Sequence, residues 1–413
     1  MNPGTFDLVS NFDLTRLLDA FYDDPFPTLH ALREREPVRR MPDGSVFLTR
    51  YADVMAVYKD PKTYSSDKRA EFGPKYGVGS ALFEHHTTSL VFNDPPLHTR
   101  VRRLIAGALT PRHVGAMEDG LVRLVDTLLD AMHERARRGE VVDLIESFAG
   151  AIPVEIIGNL LGVPHAAREP MRGWSLAVLG ALEPAPDAAA QARGNAAVSE
   201  MLAWLEGLVA RRRKAPGNPQ TDVLTRLIQG EEGGEQLLAK ELLHNCIFLL
   251  NAGHETTTNL IGNGLKCLLD RPDQTQRLLR EPELIGSAVE EFLRLESSNQ
   301  LGNRITTCDT VLAGVPLGLG TRVTLCLGAA NRDPAQFTEP DRLDIARSPN
   351  RHLAFGSGIH QCVGMGLGRL EGRVAIGRFL ARFPNYRLAA PAVRSKRVRF
   401  RGHVSIPCTL LDR

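Results

Sequence analysis

The 413-residue chain has no surplus of either charge: 50 lysines and arginines stand against 48 aspartates and glutamates, a net charge of +2. That balance gives no ground for a nucleic-acid or membrane-surface partner. No apolar run approaches the ~18 residues of a membrane-spanning helix, and Met1–Asp19 is acidic, without the charged-then-apolar layout of an export signal. Cysteine is sparse: six residues, at 246, 267, 308, 326, 362 and 408, never in C-x-x-C spacing. They are expected as free thiols in a reducing cytoplasm. There is no iron–sulfur cysteine set, no flavin motif and no repeat of roughly 20–50 residues. What remains is ordinary globular composition, 43% apolar and 24% charged, in a chain long enough for a large core. No linker composition divides it, so 1–413 reads as one domain.

The first third predicts a helix near Pro27–Arg33, strands at Pro37–Met41 and Ser45–Thr49 around the turn Pro42-Asp-Gly44, and a helix over Tyr51–Lys59 stopped by Asp60-Pro61. Glu71–Leu90 reads as irregular. Helical periodicity dominates from His98 to about Ala330, broken by proline and glycine. The Pro/Ala-rich Leu182–Ala189 segment reads as a hinge or lid between two helices, or as a plain connector. Short strands are expected at Thr310–Val315, Arg322–Leu325, Arg397–Arg401 and Val404–Cys408. The fold class is mainly α with small peripheral sheets.

The most specific motif is Phe355-Gly-Ser-Gly-Ile-His-Gln-Cys-Val-Gly364. Its glycines permit close backbone approach or positive φ, and a curled loop aims successive N–H groups inward as an anion nest. A lone cysteine is ordinarily a small buried hydrophobe. Structural zinc needs about four ligands, and only His360 and Cys362 are at hand. The glycine spacing is wrong for a phosphate loop. A single thiolate cradled by backbone suits one axial bond to a haem iron. The segment resembles the haem-binding loop of cytochrome P-450 monooxygenases. That resemblance makes Cys362 the iron ligand, with Phe355, Gly356 and Gly364 shaping its surroundings.

Leu237 to about Leu269 reads as one helix, roughly 30 residues or ~45 Å long, apolar on all sides around Cys246–Leu250 and therefore buried. In its middle stands Asn251-Ala-Gly-His-Glu-Thr-Thr-Thr-Asn259. Glycine costs about 1 kcal/mol there and each threonine several tenths relative to alanine, so local preference yields to function. A helix weakened at Gly253 is expected to widen and admit a small ligand. His254-Glu255 is followed by Thr258, not His, which excludes a metalloprotease helix. The stretch resembles the same family's oxygen-activation segment. On that match Thr256 hydrogen-bonds the bound dioxygen, Glu255 gates proton delivery and Ala252 lies over the haem. The fold implied is that of the cytochrome P-450 family, with haem b between the long helix and the helix after the cysteine loop.

Further residues gain meaning from the resemblance. Glu291 and Arg294, an i,i+3 pair of a kind usually exposed, match its Glu-x-x-Arg, and Arg342 matches the arginine that completes that buried network. His98 and Arg102 lie four apart on one helix face. With Arg304 and His360 they occupy the family's propionate-gripping positions, and arginine's fork suits carboxylates. The substrate pocket would be lined by Phe248, Asn251, Ser298, Asn299 and Leu301. Ser298 stands where proline is common, and these polar residues point to a substrate carrying an oxygen function or carboxylate. Arg100, Arg103, Arg112, Arg369, Arg373 and Arg378 would form a basic face for an acidic ferredoxin.

The function expected is insertion of one atom of O2 into a small or medium organic molecule, with electrons from a ferredoxin/reductase chain. The chain is expected to be a monomer with no nucleic-acid or membrane partner. Two alternatives stand beside this reading: a haem sensor or binding protein that does not turn over, and a peroxide-driven peroxygenase. The Glu255-Thr256 pair argues against both.

Overall fold

The structure is a computed structural model, and it describes residues 8–219, 222–229 and 237–410. The acidic N-terminal stretch is therefore described only from Leu8. In chain order the elements used below are α1 (Phe26–Arg35), β1 (Val38–Arg40), β2 (Val46–Leu48), α2 (Tyr51–Lys59), β3 (Tyr64–Ser65), α3 (Arg69–Tyr76) and α4 (Ala81–Thr88). Then come α5 (Leu97–Ala108), α6 (Glu118–Arg137), α7 (Ala151–Leu160), α8 (Met171–Gly180), α9 (Ala188–Lys214), α10 (Ala239–Leu269) and α11 (Ile285–Leu295). The chain continues through β4 (Leu301–Thr306), β5 (Arg322–Cys326) and α12 (Met365–Arg382).

The five strands form one sheet in the order β1-β2-β5-β4-β3. β2 runs parallel to β5, with Val46 opposite Val323, and β4 runs antiparallel to it, with Leu301 opposite Cys326. This sheet and the N-terminal helix hold two satellite clusters, while the main core lies among the helices. At its centre is α10, buried on most faces along 31 residues. Its apolar side chains, Ile247, Leu250, Ile261 and Leu265, are at most 3% exposed, which is why an all-round hydrophobic helix was expected there. Among the described residues no single helix is long and apolar enough to cross a membrane, and all six cysteines are free.

Two local expectations change. Glu71–Leu90 is largely helical, because Ser80 caps α4 by accepting from the Phe83 N–H at 3.2 Å and the Phe72, Tyr76, His86 and Phe92 rings pack together at 5.1–5.6 Å. Arg397–Arg401 is not a strand. Only an isolated bridge joins Phe400 to Asn299, and the arginine side chains of this segment bond elsewhere, as described below.

Candidate active site

The cysteine loop is shaped by backbone crowding. Gly356 and Gly358 sit at φ +64° and +67°, in the left-handed region that glycine alone enters freely. A Cβ at Gly358 would fall well under 3.0 Å from the Tyr58 carbonyl oxygen at the end of α2. The Cys362 N–H donates to the Phe355 carbonyl at 2.8 Å and the Gln361 N–H to Gly358 at 3.1 Å, curling the chain around the sulfur. Cys362 is exposed, yet the protein behind it is dense enough that desolvation raises its thiol. The Gly364 N–H and the Arg102 and Arg369 guanidiniums oppose that rise.

Facing the loop is the middle of α10. Ala252 is exposed and Gly253 and Thr256 are half-buried in a helix otherwise enclosed. The two elements run parallel where they touch: a Cβ on Gly264 would meet Ile376, one on Gly372 would meet Leu260, and Thr257 bonds Glu371. On the N-terminal side of this contact one face of α10 opens, with Ala252 exposed and Gly253 and Thr256 half-buried, and across from it Cys362 and Gly366 are exposed. These exposed residues border a slot, with Cys362 on one wall and the Ala252, Gly253 and Thr256 face of α10 on the other. The helix does not widen at Gly253, contrary to expectation: α10 is continuous. Gly253 instead lets α7 approach, since a Cβ there would overlap Ile157. The threonine hydroxyls are satisfied inside the helix, Thr256 donating to Ala252 O at 2.6 Å and Thr258 to His254 O at 3.1 Å.

Glu255 does not bond Thr256. Its carboxylate accepts from Arg397 Nη1 at 2.6 Å on both oxygens. The side chain is buried, and burial pushes the carboxyl up to about 7, with Arg397 opposing. Neither Arg397 nor Glu371 was anticipated. Glu371 lies fully enclosed behind α10, pushed up to about 8 by burial against a lowering bond from Thr257.

At one end of the slot His98, Arg102, Arg304 and His360 come together. The His98 and His360 rings are 4.1 Å apart. His98 Nδ1 and Nε2 and His360 Nε2 are buried without a hydrogen-bond partner. Burial, then the Arg304, His98 and Arg102 charges, pushes His360 down to about 2. Asp94, the carboxylate whose charge reaches His98 and Arg304, is taken by the Ser65 hydroxyl and the Ser66 N–H. An unpartnered imidazole N–H needs an acceptor, and the Arg102 and Arg304 guanidiniums beside it donate to the Gln361 and Asn303 carbonyls, not to a carboxylate, so these residues fit the propionates of a haem.

Glu291 and Arg294 form a wholly buried pair at 2.8 Å. Arg342 is not part of it: its side chain is 64% exposed and pairs with Glu339, and only its carbonyl reaches Arg294. The third member is Arg347, whose Nε lies 3.1 Å from both Glu291 oxygens. Arg294 also donates to Asn331 O at 2.9 Å, and Asn331 Oδ1 accepts the Leu353 N–H at 2.6 Å. The network therefore reaches the start of the cysteine loop.

The remaining expected residues separate. Phe248 is half-buried on α10, while Asn251 and Ser298 are buried with side-chain polar atoms unpartnered, as is Asn299 Oδ1. Leu301 is not in this group; it belongs to the N-terminal cluster with Leu29, Phe47 and Cys326. Of the basic face, Arg369 is neutralised by Glu290 at 2.7 and 2.8 Å and Arg378 by Asp126 at 2.6 and 2.7 Å, and Arg100 pairs with Glu241 on α10. Arg103, Arg112 and Arg373 are exposed.

Comparison with known proteins agrees with this geometry. The family model described as cytochrome P450 matches residues 191–386. The chain is 40% identical over 380 residues to the vitamin D(3) 25-hydroxylase of Pseudonocardia autotrophica, covering 89% of each. It is 34% identical over 383 residues to the 6-deoxyerythronolide B hydroxylase of Saccharopolyspora erythraea, covering 91% of this chain and 92% of that one. Its structure resembles that of P450BioI in complex with a hexadec-9Z-enoic acid ligated acyl carrier protein, with a TM-score of 0.89 and 32% identity, covering 95% of this chain and 100% of the other.

Proposed function

The chain belongs to the cytochrome P450 family and is a haem-b monooxygenase, and from that premise we propose that it hydroxylates a medium-sized organic substrate with electrons from a separate ferredoxin-type donor. The observation that carries the reading is the slot itself: one cysteine in a backbone nest on one wall, and an open Ala252–Thr256 strip on the wall facing it. The overall change is RH + O2 + two electrons + two protons giving ROH and water. Haem b, when bound, supplies the O2-binding and electron-accepting centre, and a thiolate ligand favours O–O cleavage.

The chain's own residues supply the rest. Cys362 provides the thiolate, and the guanidiniums of Arg102 and Arg369 favour its ionised form. His98, Arg102, Arg304 and His360 hold the propionates. Ala252 keeps the slot open where a larger side chain would fill it. Thr256, whose hydroxyl donates to Ala252 O, would hold a proton at the slot face of α10, and Glu255 would be its source. Glu291, Arg294 and Arg347 hold the loop in place.

The substrate is proposed to be mainly apolar with at least one oxygen function. The unpartnered polar atoms of Asn251, Ser298 and Asn299 support this, as do relatives named for hydroxylation of vitamin D(3) and of 6-deoxyerythronolide B. Arg112 and Arg373, both exposed, are the cations proposed to meet the ferredoxin.

The test is the CO difference spectrum of the reduced holoprotein with a Cys362→Ala control. A strongly red-shifted Soret band in the wild type only is expected; an imidazole-like band in the wild type refutes thiolate ligation. Thr256→Ala should keep consuming oxygen while releasing peroxide in place of product, and unchanged coupling would assign the role to another group.

A further inference from the structure

Arg397 ties three things together. Nη1 binds the Glu255 carboxylate, and Nη2 donates to Leu176 O in α8 at 2.8 Å. The next two backbone N–H groups, of Val398 and Arg399, donate to one oxygen of Glu183 at 2.9 and 3.1 Å. Arg399 Nε donates to Leu182 O at 3.1 Å, while its Nη groups fix the loop to Leu301 O and Asn303 on β4. From the other side Lys75 Nζ reaches Glu183 O at 2.8 Å, and the Tyr76 hydroxyl reaches Ala181 O at 2.7 Å. The Ala181–Asp187 connector between α8 and α9 is thus clasped by the same C-terminal loop that holds Glu255.

We propose that Arg397 is a positioning residue for proton delivery: docking of the α8–α9 connector sets its guanidinium against Glu255, and undocking withdraws it. This rests on the monooxygenase reading and adds to it a residue, and a dependence on the connector, that the slot alone does not contain. The charged groups facing Glu255 are Arg397 from the C-terminal loop and Glu183 from the connector, which act in opposite directions. With the guanidinium in place Glu255 has a carboxylate population at neutral pH. Without it, a buried carboxyl with no cation stays protonated.

The sign of one substitution separates positioning from simple electrostatics. Removing Glu183 takes away an anion, which by Coulomb's law alone lowers the Glu255 midpoint. If the connector positions Arg397, losing the Glu183 clasp frees the loop and raises it.

The experiment is an infrared pH titration of the protonated carboxyl band, assigned by its absence in Glu255→Gln, on holoprotein whose melting curve shows it folded. Arg397→Gln should raise the midpoint by about 1 unit or more, Arg397→Lys should restore part of the shift, and Glu183→Ala should raise it too. With a surrogate ferredoxin and reductase, the acid limb of NADPH-driven oxygen consumption should move with it, and Arg397→Gln should have no further effect in the Glu255→Gln background. An unmoved midpoint in folded Arg397→Gln, or a fall in Glu183→Ala, overturns the proposal. The infrared arm does not depend on turnover. An absent thiolate band in the wild type would instead sink the monooxygenase reading.

Discussion

Gly358→Ala is the sharpest test of how the cysteine loop is built. Alanine at φ +67° carries a conformational penalty of about 1–2 kcal/mol. Its Cβ would also overlap the Tyr58 carbonyl oxygen, which is backbone and cannot swing aside as a side-chain tip can. The loop must retreat by about 1 Å to regain van der Waals distance, and overpacking of this kind adds about 1–3 kcal/mol. The sum, about 2–5 kcal/mol, is a large share of the stability of an ordinary domain. Because the displaced segment carries the sulfur, the thiolate band in the reduced CO spectrum should weaken along with the melting temperature. Two neighbours calibrate the result. Gly356→Ala shares the positive φ but meets nothing closer than the Tyr58 hydroxyl at 3.7 Å, so it should incur only the conformational penalty. Gly366→Ala has no atom within 4 Å and lies in the first turn of α12, so it should be neutral or slightly stabilising. If Gly358→Ala melts with Gly366→Ala and keeps the full thiolate band, the crowding argument is wrong.

Arg347→Met should destabilise the protein by about 3–5 kcal/mol by leaving Glu291 buried with one cation fewer, whereas Arg342→Met should stay within about 0.5 kcal/mol; urea unfolding distinguishes them, and equal effects would return Arg342 to the network. Buried histidines make the protein acid-sensitive. Burial pushes His86 down to about 3, and His244 and His254 down to about 4. A histidine depressed on folding contributes stability that is present above its unfolded value near 6.5 and is lost as pH falls below it. His86→Phe, placed among Phe72, Tyr76 and Phe92, should therefore lose about 1.4 kcal/mol less than the wild type between pH 7.5 and 5.5, and parallel stability curves would contradict this. Glu255 and Glu371 carry the opposite sign: raised on folding, they contribute stability at low pH that is lost as pH rises through about 7 and 8. Glu371→Gln should flatten the fall in melting temperature between about pH 4.5 and 8, where the folded protein alone holds this proton, and an unchanged fall would show that the carboxyl is not held neutral.

Features written in local spacing were legible. The Tyr51–Lys59 helix has the bounds that Asp60-Pro61 implied, and the long helix begins two residues later than expected, at Ala239. The glycine–cysteine pattern announced a tight loop because the glycines act through their own φ angles. Glycine and proline break a helix only where their surroundings allow it. Gly73, Pro74, Gly77 and Gly79 made α3 and α4 look like loop, yet aromatic packing outweighs the weak local preference. Gly253 looked like a place for α10 to open, but it is a place where α7 comes close.

The partners of buried charges were not legible, for a physical reason. A carboxylate in the core must find a cation, but nothing in its neighbourhood along the chain says which. Glu255 finds Arg397, 142 positions away, and Glu291 finds Arg347, 56 away. Arg342 lies five residues before Arg347 and at a plausible spacing, yet it turns to solvent while its carbonyl joins the network. Which arginine enters is settled by the path of the chain between Thr338 and Asn350, where the Thr338 and Glu339 carbonyls receive Arg347 and the Asp344 N–H donates to Glu291. Motif spacing identifies the chemistry a site needs. The residues that tune it, here Arg397 against Glu255 and Arg347 against Glu291, are brought in by the path of the chain.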